Sequence, residues 1–130
     1  MVIHLRFVVS QLDPDSGRRQ GLFQAAASLE GRGVLSPHEV DDYRAVVNWF
    51  RDNLKKPDRF SVSSRPHAKG QALSWFKADS AIHIAKMREL QRVLEAHDIG
   101  VDILRTERPG YIVYEDEHQV AAYPFADTPT

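Results

Sequence analysis

The spacing of the apolar residues changes twice along this 130-residue chain, and those changes limit the folds that it can adopt. Between Val2 and Val9 the apolar residues alternate with others, as in a β-strand that buries one face. In three stretches between Leu22 and Leu94 the apolar residues recur at intervals of three and four residues, which is typical of amphipathic helices. After Gly100 the alternation returns. Strands grouped at the end of a chain favour an α+β domain with an antiparallel sheet.

The second of the three predicted helices has the clearest start. The segment Ser36–Glu39 is a capping box with proline at the first helical position. The first helix has Pro14 at a plausible first helical position, includes Gly17 and Gly21, carries its apolar residues between Leu22 and Leu29, and ends at Gly31 and Gly33. The third begins at Asp79 or Ser80, either of which can serve as its N-cap, and ends before Gly100.

The predicted sheet combines the first strand with a late meander. In the first strand His4 and Arg6 lie on the face opposite the apolar side chains, which makes that face the exposed one. The meander consists of strands at 101–105, 111–115 and 118–123. The predicted fold is therefore an antiparallel sheet of three to four strands with three helices packed on one face. Its element order is β-α-α-loop-α-β-β-β.

The composition is that of one globular domain, residues 1–124, followed by a frayed tail at 125–130. The absence of cysteine excludes disulfides, thiolate catalysis and cysteine-zinc sites. The apolar run at residues 2–9 is too short for a membrane span or a signal peptide. We therefore expect a cytoplasmic protein that does not contact a membrane.

The sequence lacks the motifs of the best-known catalytic and metal sites. It contains no H-E-x-x-H, no glycine-rich phosphate loop, no G-x-S-x-G and no EF-hand loop. We expect no cofactor and no metal, and a non-catalytic protein is favoured over an enzyme.

The segment 55–77 is strongly basic, with six lysines and arginines against one acidic residue. Such cations release counterions from phosphates, and an aromatic ring beside them stacks on a base. The leading hypothesis is therefore a binding module for nucleic acid or another phosphate-bearing ligand. Its predicted contacts are Arg59, Arg65, His67, Lys69, Trp75 and Lys77. The alternative is a solvated loop in which Trp75 packs into the core.

A second hypothesis is a homodimer or another protein partner bound on the outer face of the C-terminal hairpin. If Asp116 and Glu117 form the turn, Val113 pairs with Val120 on the core face. The outer face then carries Ile112, Tyr114 and Tyr123, which is unusually apolar for a solvent-facing surface. Alternatively a helix or the tail covers this face. A shift of one residue in the register would exchange the two faces.

A third hypothesis is a small phosphoryl-transfer or hydrolytic enzyme. His83 or His67 would act as the base, and Arg65 would hold the anion. Asp79 lies four residues before His83 and would orient its ring if both residues were helical. The alternative is a histidine at the edge of the core that is hydrogen-bonded by a neighbour.

Overall fold

The computed structural model describes residues 2–56 and 72–130. The helices and strands in chain order are β1 (His4–Leu12), β2 (Arg19–Gly21), α1 (Leu22–Gly31), α2 (Pro37–Asn53), β3 (Leu73–Lys77), α3 (Ala81–Glu95), β4 (Asp102–Thr106), β5 (Tyr111–Glu115) and β6 (Gln119–Tyr123). The predicted α+β class with an antiparallel sheet is confirmed. A brief strand near residues 60–63, also suggested by the sequence, lies outside the described residues.

Within the described residues the sheet has six strands, so the predicted count of three to four was slightly low. The two strands missing from the prediction are β2 and β3. Strand β2 has only three residues, too few to show an alternation, and it occupies residues that were predicted to be helical. The predicted start of the first helix was therefore wrong, because α1 begins only at Leu22. Strand β3 does alternate, with Leu73 and Trp75 buried and Ser74 exposed, but it was interpreted as part of the basic segment.

Strand β1 is an interior strand with three partner strands, and this changes the predicted meander. It pairs with β4 from His4 to Val8 along one edge. Along the other edge it pairs with both β2 and β3, and β3 continues the sheet to β6 and β5. Strand β4 therefore lies beside β1, not beside β5 as a meander requires. Local alternation identifies a strand but does not choose its partner.

The three helices pack on one face of the sheet, as predicted. The main core lies there and includes Phe7 and Val9 of β1. The other face carries a smaller apolar cluster of Leu73, Trp75 and Val120.

The exposure predicted for His4 and Arg6 was wrong, because β1 is covered on both faces. His4 is 5% exposed and Arg6 is half-buried. Val8 lies on the same face as these two residues and is fully buried.

The β5–β6 register differs from the predicted one. The Asp116 side chain accepts hydrogen bonds from the amides of His118 and Gln119, so the turn is centred on Glu117 and His118. This moves the turn one residue along the chain from its predicted place. The predicted pairing of Val113 with Val120 was therefore wrong, and Glu115 is opposite Val120.

Candidate functional site

The structure describes only part of the predicted anion-binding set. Arg59, Arg65, His67 and Lys69 lie outside the described residues, and their role stays a prediction. Lys77 is already neutralised, since its Nζ lies 2.6 Å from Glu115 Oε2. Trp75 is 1% exposed, as the alternative interpretation of this residue proposed.

A gap interrupts one edge of β1. The pairing with β2 reaches Val8, opposite Gly21, and the pairing with β3 reaches Leu5, opposite Phe76. Arg6 lies between these two paired positions. Strands β2 and β3 thus diverge along a single edge of β1, and we call the opening between them the fork.

A cavity of about 680 Å³ lies at the fork. Its described walls are mainly apolar and include Phe7, Leu22, Phe23, Val47, Phe50, Leu54, Trp75, Phe76 and Met87. Its polar lining residues are Arg6, Arg51, Lys55, Lys56, Ser74 and Gln119. Among the described lining residues there are four cations and no carboxylate. The volume is in the range of about 300–1,000 Å³ that is usual for small-molecule sites.

Arg6 is the cation at the centre of this arrangement. Its Nη2 donates a hydrogen bond to the carbonyl of Arg19 at 3.0 Å, whereas its Nη1 is buried without a hydrogen-bond partner. In the described part of the chain no carboxylate forms an ion pair with it. Burial, and then the charges of Arg18 and Arg19, lower the pKa of Arg6 to about 10.

Trp75 also lines this cavity and carries a second donor without a partner. Its indole Nε1 is buried and makes no hydrogen bond with the described residues. Buried donors are normally satisfied by protein or by water, so two unsatisfied donors on residues of one cavity lining are uncommon.

The cations around Arg6 differ in whether they already form an ion pair with an acidic side chain. Arg19 forms an ion pair with Asp102 across β1 and is therefore neutralised. Lys55 and Lys56 follow α2 at the cavity rim and are exposed. The carbonyl of Lys55 accepts a hydrogen bond of 2.5 Å from Gln119 Nε2, which ties this rim to β6.

The described lining of the cavity contains no histidine, aspartate or glutamate. No imidazole or carboxylate is therefore available as a general base among these lining residues. Arg6 and Trp75 both contribute to the lining of a cavity whose described walls are mainly apolar. This combination suits a molecule that has an anionic group on an apolar body.

Arg6 was not identified from the sequence as a site residue, because the face of β1 that carries it was predicted to be exposed to solvent. The available signal was Val8, an apolar residue that shares the face of His4 and Arg6. An apolar residue on both faces indicates a strand that is covered on both sides.

The predicted His83 site has a different geometry. Asp79 precedes α3, and the Nε2 atom of His83 lies 2.9 Å from the Asn53 carbonyl oxygen. His83 is buried, and its ring packs edge-on against Trp49 with 4.8 Å between centroids. The Asn53 carbonyl, and not the predicted Asp79 carboxylate, therefore orients this ring.

The three predicted interface residues do not share one face. A bulge between Ile112 and Tyr114 places Ile112 opposite Ala122 and Tyr114 opposite Ala121. Tyr123 lies on the side of Tyr114, and both tyrosines are half-buried, whereas Ile112 is 38% exposed. A homodimer contact through these residues stays a prediction.

Comparisons with protein-family models, with curated proteins and with solved structures found no match to this chain. No helix in residues 2–56 and 72–130 has the length and apolar character needed to cross a membrane. Within the same residues, no three histidine or acidic side chains are grouped as metal ligands.

Proposed function

We propose that this protein binds a small organic anion, a carboxylate or phosphate attached to an apolar body, in the cavity at the fork. The observation that carries this proposal is the half-buried Arg6 in the cavity lining, which forms no ion pair with any carboxylate of the described residues. A buried unpaired charge destabilises a protein, and a bound anion would remove that penalty.

The cavity walls favour an organic ligand over a free inorganic anion. Rings and aliphatic chains from both the sheet and the helices line the space beside Arg6. Burial of an apolar ligand body there contributes roughly 25 cal/mol per Å² of surface removed from water. Inorganic phosphate would gain only the contacts with the lining cations.

The structure favours a small ligand over a stacked nucleic-acid base. Trp75 is 1% exposed, so its ring face is not presented to a strand of nucleic acid. Lys55 and Lys56 lie at the cavity rim, and their charges support the hypothesis, made from the sequence, that the ligand is anionic. The cations between residues 57 and 71 would add to this attraction if the prediction for them holds.

The proposal is tested by calorimetric titration with four probes: dodecanoate, phenyl phosphate, inorganic phosphate and dodecanol. The anionic organic probes are expected to bind more tightly than either inorganic phosphate or the uncharged alcohol. Dodecanoate and phenyl phosphate together distinguish a carboxylate from a phosphate ligand. If dodecanol binds as tightly as dodecanoate, the charge of Arg6 has no role and the proposal fails.

Replacing Arg6 with methionine should weaken binding of the preferred anion by at least about tenfold, since a hydrogen bond to a charged group contributes about 1.5–3 kcal/mol. The matched control is Arg105→Met, which removes an exposed arginine from the neighbouring strand β4. The control should change the dissociation constant less than about twofold, in line with the small contribution of exposed charges. Equal affinities for the two variants would contradict the proposed site.

A further inference from the structure

Ser80 occupies the N-cap position of α3, but its side chain does not cap the helix. Serine at this position normally accepts a hydrogen bond from an amide of the first turn. Here the Ser80 Oγ lies 3.2 Å from His118 Nδ1, on the β5–β6 turn. The hydroxyl is therefore placed for proton exchange with an imidazole.

The ring of His118 is held in a defined orientation. It stacks on the His83 ring with 4.2 Å between centroids and 28° between planes. The His118 amide is fixed by a hydrogen bond of 2.8 Å to Asp116 Oδ1. Its other ring nitrogen, Nε2, lies 3.9 Å from Glu117 Oε2. The His83 ring and the β5–β6 turn thus direct Nδ1 of His118 towards Ser80.

This pair lines a second cavity, of about 490 Å³, between the end of α2 and the start of α3. Trp49 and Ile82 give it apolar surface, and Ile82 is 65% exposed. The amides of Ile82 and His83 belong to the first turn of α3, so they have no partner within the helix. They lie at the positive end of the helix dipole, next to the Ser80 hydroxyl.

We propose that Ser80 and His118 form a nucleophile and base that hydrolyse small carboxylic esters. His118 Nδ1 takes the Ser80 proton while Oγ attacks the carbonyl carbon and the carbonyl π electrons move to oxygen. The tetrahedral oxyanion collapses, the bond to the alcohol oxygen breaks, and that oxygen takes the proton from Nδ1. Water then attacks the acyl-serine by the same route and releases the acid and the free Ser80 hydroxyl. The amides of the first turn stabilise the oxyanion.

The first test is covalent labelling with an alkyl fluorophosphonate, followed by peptide mass mapping. The expected adduct is on Ser80 and is lost in both Ser80→Ala and His118→Gln. Ser10→Ala and His38→Gln are the controls, because both residues are exposed and lie outside the cavity. Hydrolysis of p-nitrophenyl butyrate should fall by about a hundredfold or more in Ser80→Ala, in line with a lost nucleophile and base pair. An unlabelled Ser80, or an unchanged rate in Ser80→Ala, overturns the proposal.

The absence of cysteine from the chain permits a second readout that does not need a substrate. In Ser80→Cys the new thiol is the single one present, and His118 should promote its ionisation. Alkylation by iodoacetamide at pH 7 should slow by about tenfold or more when His118→Gln is added. The same histidine change should leave the alkylation of Ser10→Cys unaltered. Equal Ser80→Cys rates with and without His118 would refute the proposed base, independently of any anion binding at Arg6.

Discussion

Gly110 shows how a single residue constrains the connection between β4 and β5. Its φ is +132°, and a β-carbon at this position would lie 2.0 Å from the carbonyl oxygen of Tyr123. Both the backbone conformation and the close approach therefore require glycine. The sequence Arg108-Pro109-Gly110 is typical of a turn, but the contact with Tyr123 depends on a strand that follows later in the chain.

Replacing Gly110 with alanine should lower the free energy of unfolding by at least about 2 kcal/mol, because the change combines strained backbone with a steric clash. Urea denaturation measures this effect. Gly100→Ala is the matched control, since a β-carbon there meets nothing within 4 Å and the backbone needs no positive φ. The control should stay within about 1 kcal/mol of the original protein. Similar losses in both variants would contradict the steric argument.

Among the elements, α2 was predicted most closely, because its start is determined by neighbouring residues. Ser36 Oγ accepts a hydrogen bond from the Glu39 amide at 3.2 Å, and Glu39 Oε1 accepts one from the Ser36 amide at 2.8 Å. The same carboxylate lies 2.9 Å from His97 Nε2, which joins the start of α2 to the end of α3. The capping box was predictable from four adjacent residues, whereas the contact with His97 depends on how two helices pack.

The hydrogen bond from the Ser36 amide, and then that from His97, lower the pKa of Glu39 below its ordinary value. A carboxylate with a lower pKa in the folded state stabilises the fold above its unfolded pKa of about 4.3. That contribution is lost as the pH falls through the folded pKa. The urea midpoint of Glu39→Gln should therefore lie below that of the original protein at pH 7, and the difference should shrink below about pH 4. Glu107→Gln, at an exposed position, should show no such pH-dependent difference.

At the scale of the whole molecule, the sequence predicted the class of the fold and the helix layer but not the strand order. The strands at 111–115 and 119–123 could be recognised from alternation alone. The place of β4 beside β1 could not, since it depends on a pairing between residues roughly a hundred positions apart. The Arg6 site also depends on strand pairing between distant parts of the chain, because the fork exists only where β2 and β3 pair with one edge of β1.

The proposed function also predicts a conflict between binding and stability. Arg6→Met should raise the free energy of unfolding of the ligand-free protein by about 1 kcal/mol, because it removes a half-buried charge that forms no ion pair with a described carboxylate. This is the low end of the usual range, since the side chain is only half-buried. Urea denaturation without ligand measures the gain, and Arg105→Met should leave stability unchanged. A marked loss of stability in Arg6→Met would show that Arg6 serves the fold and not a ligand.

The position of β1 in the sheet has a consequence for synthesis of the chain. His4 pairs with Thr106, so the two strands are separated by roughly a hundred residues. At about 5–20 residues per second, β1 emerges from the ribosome roughly 5 to 20 seconds before β4. During that interval the edge of β1 that later pairs with β4 has no partner strand. Unpaired edges of apolar strands are surfaces that holdase chaperones protect in nascent chains.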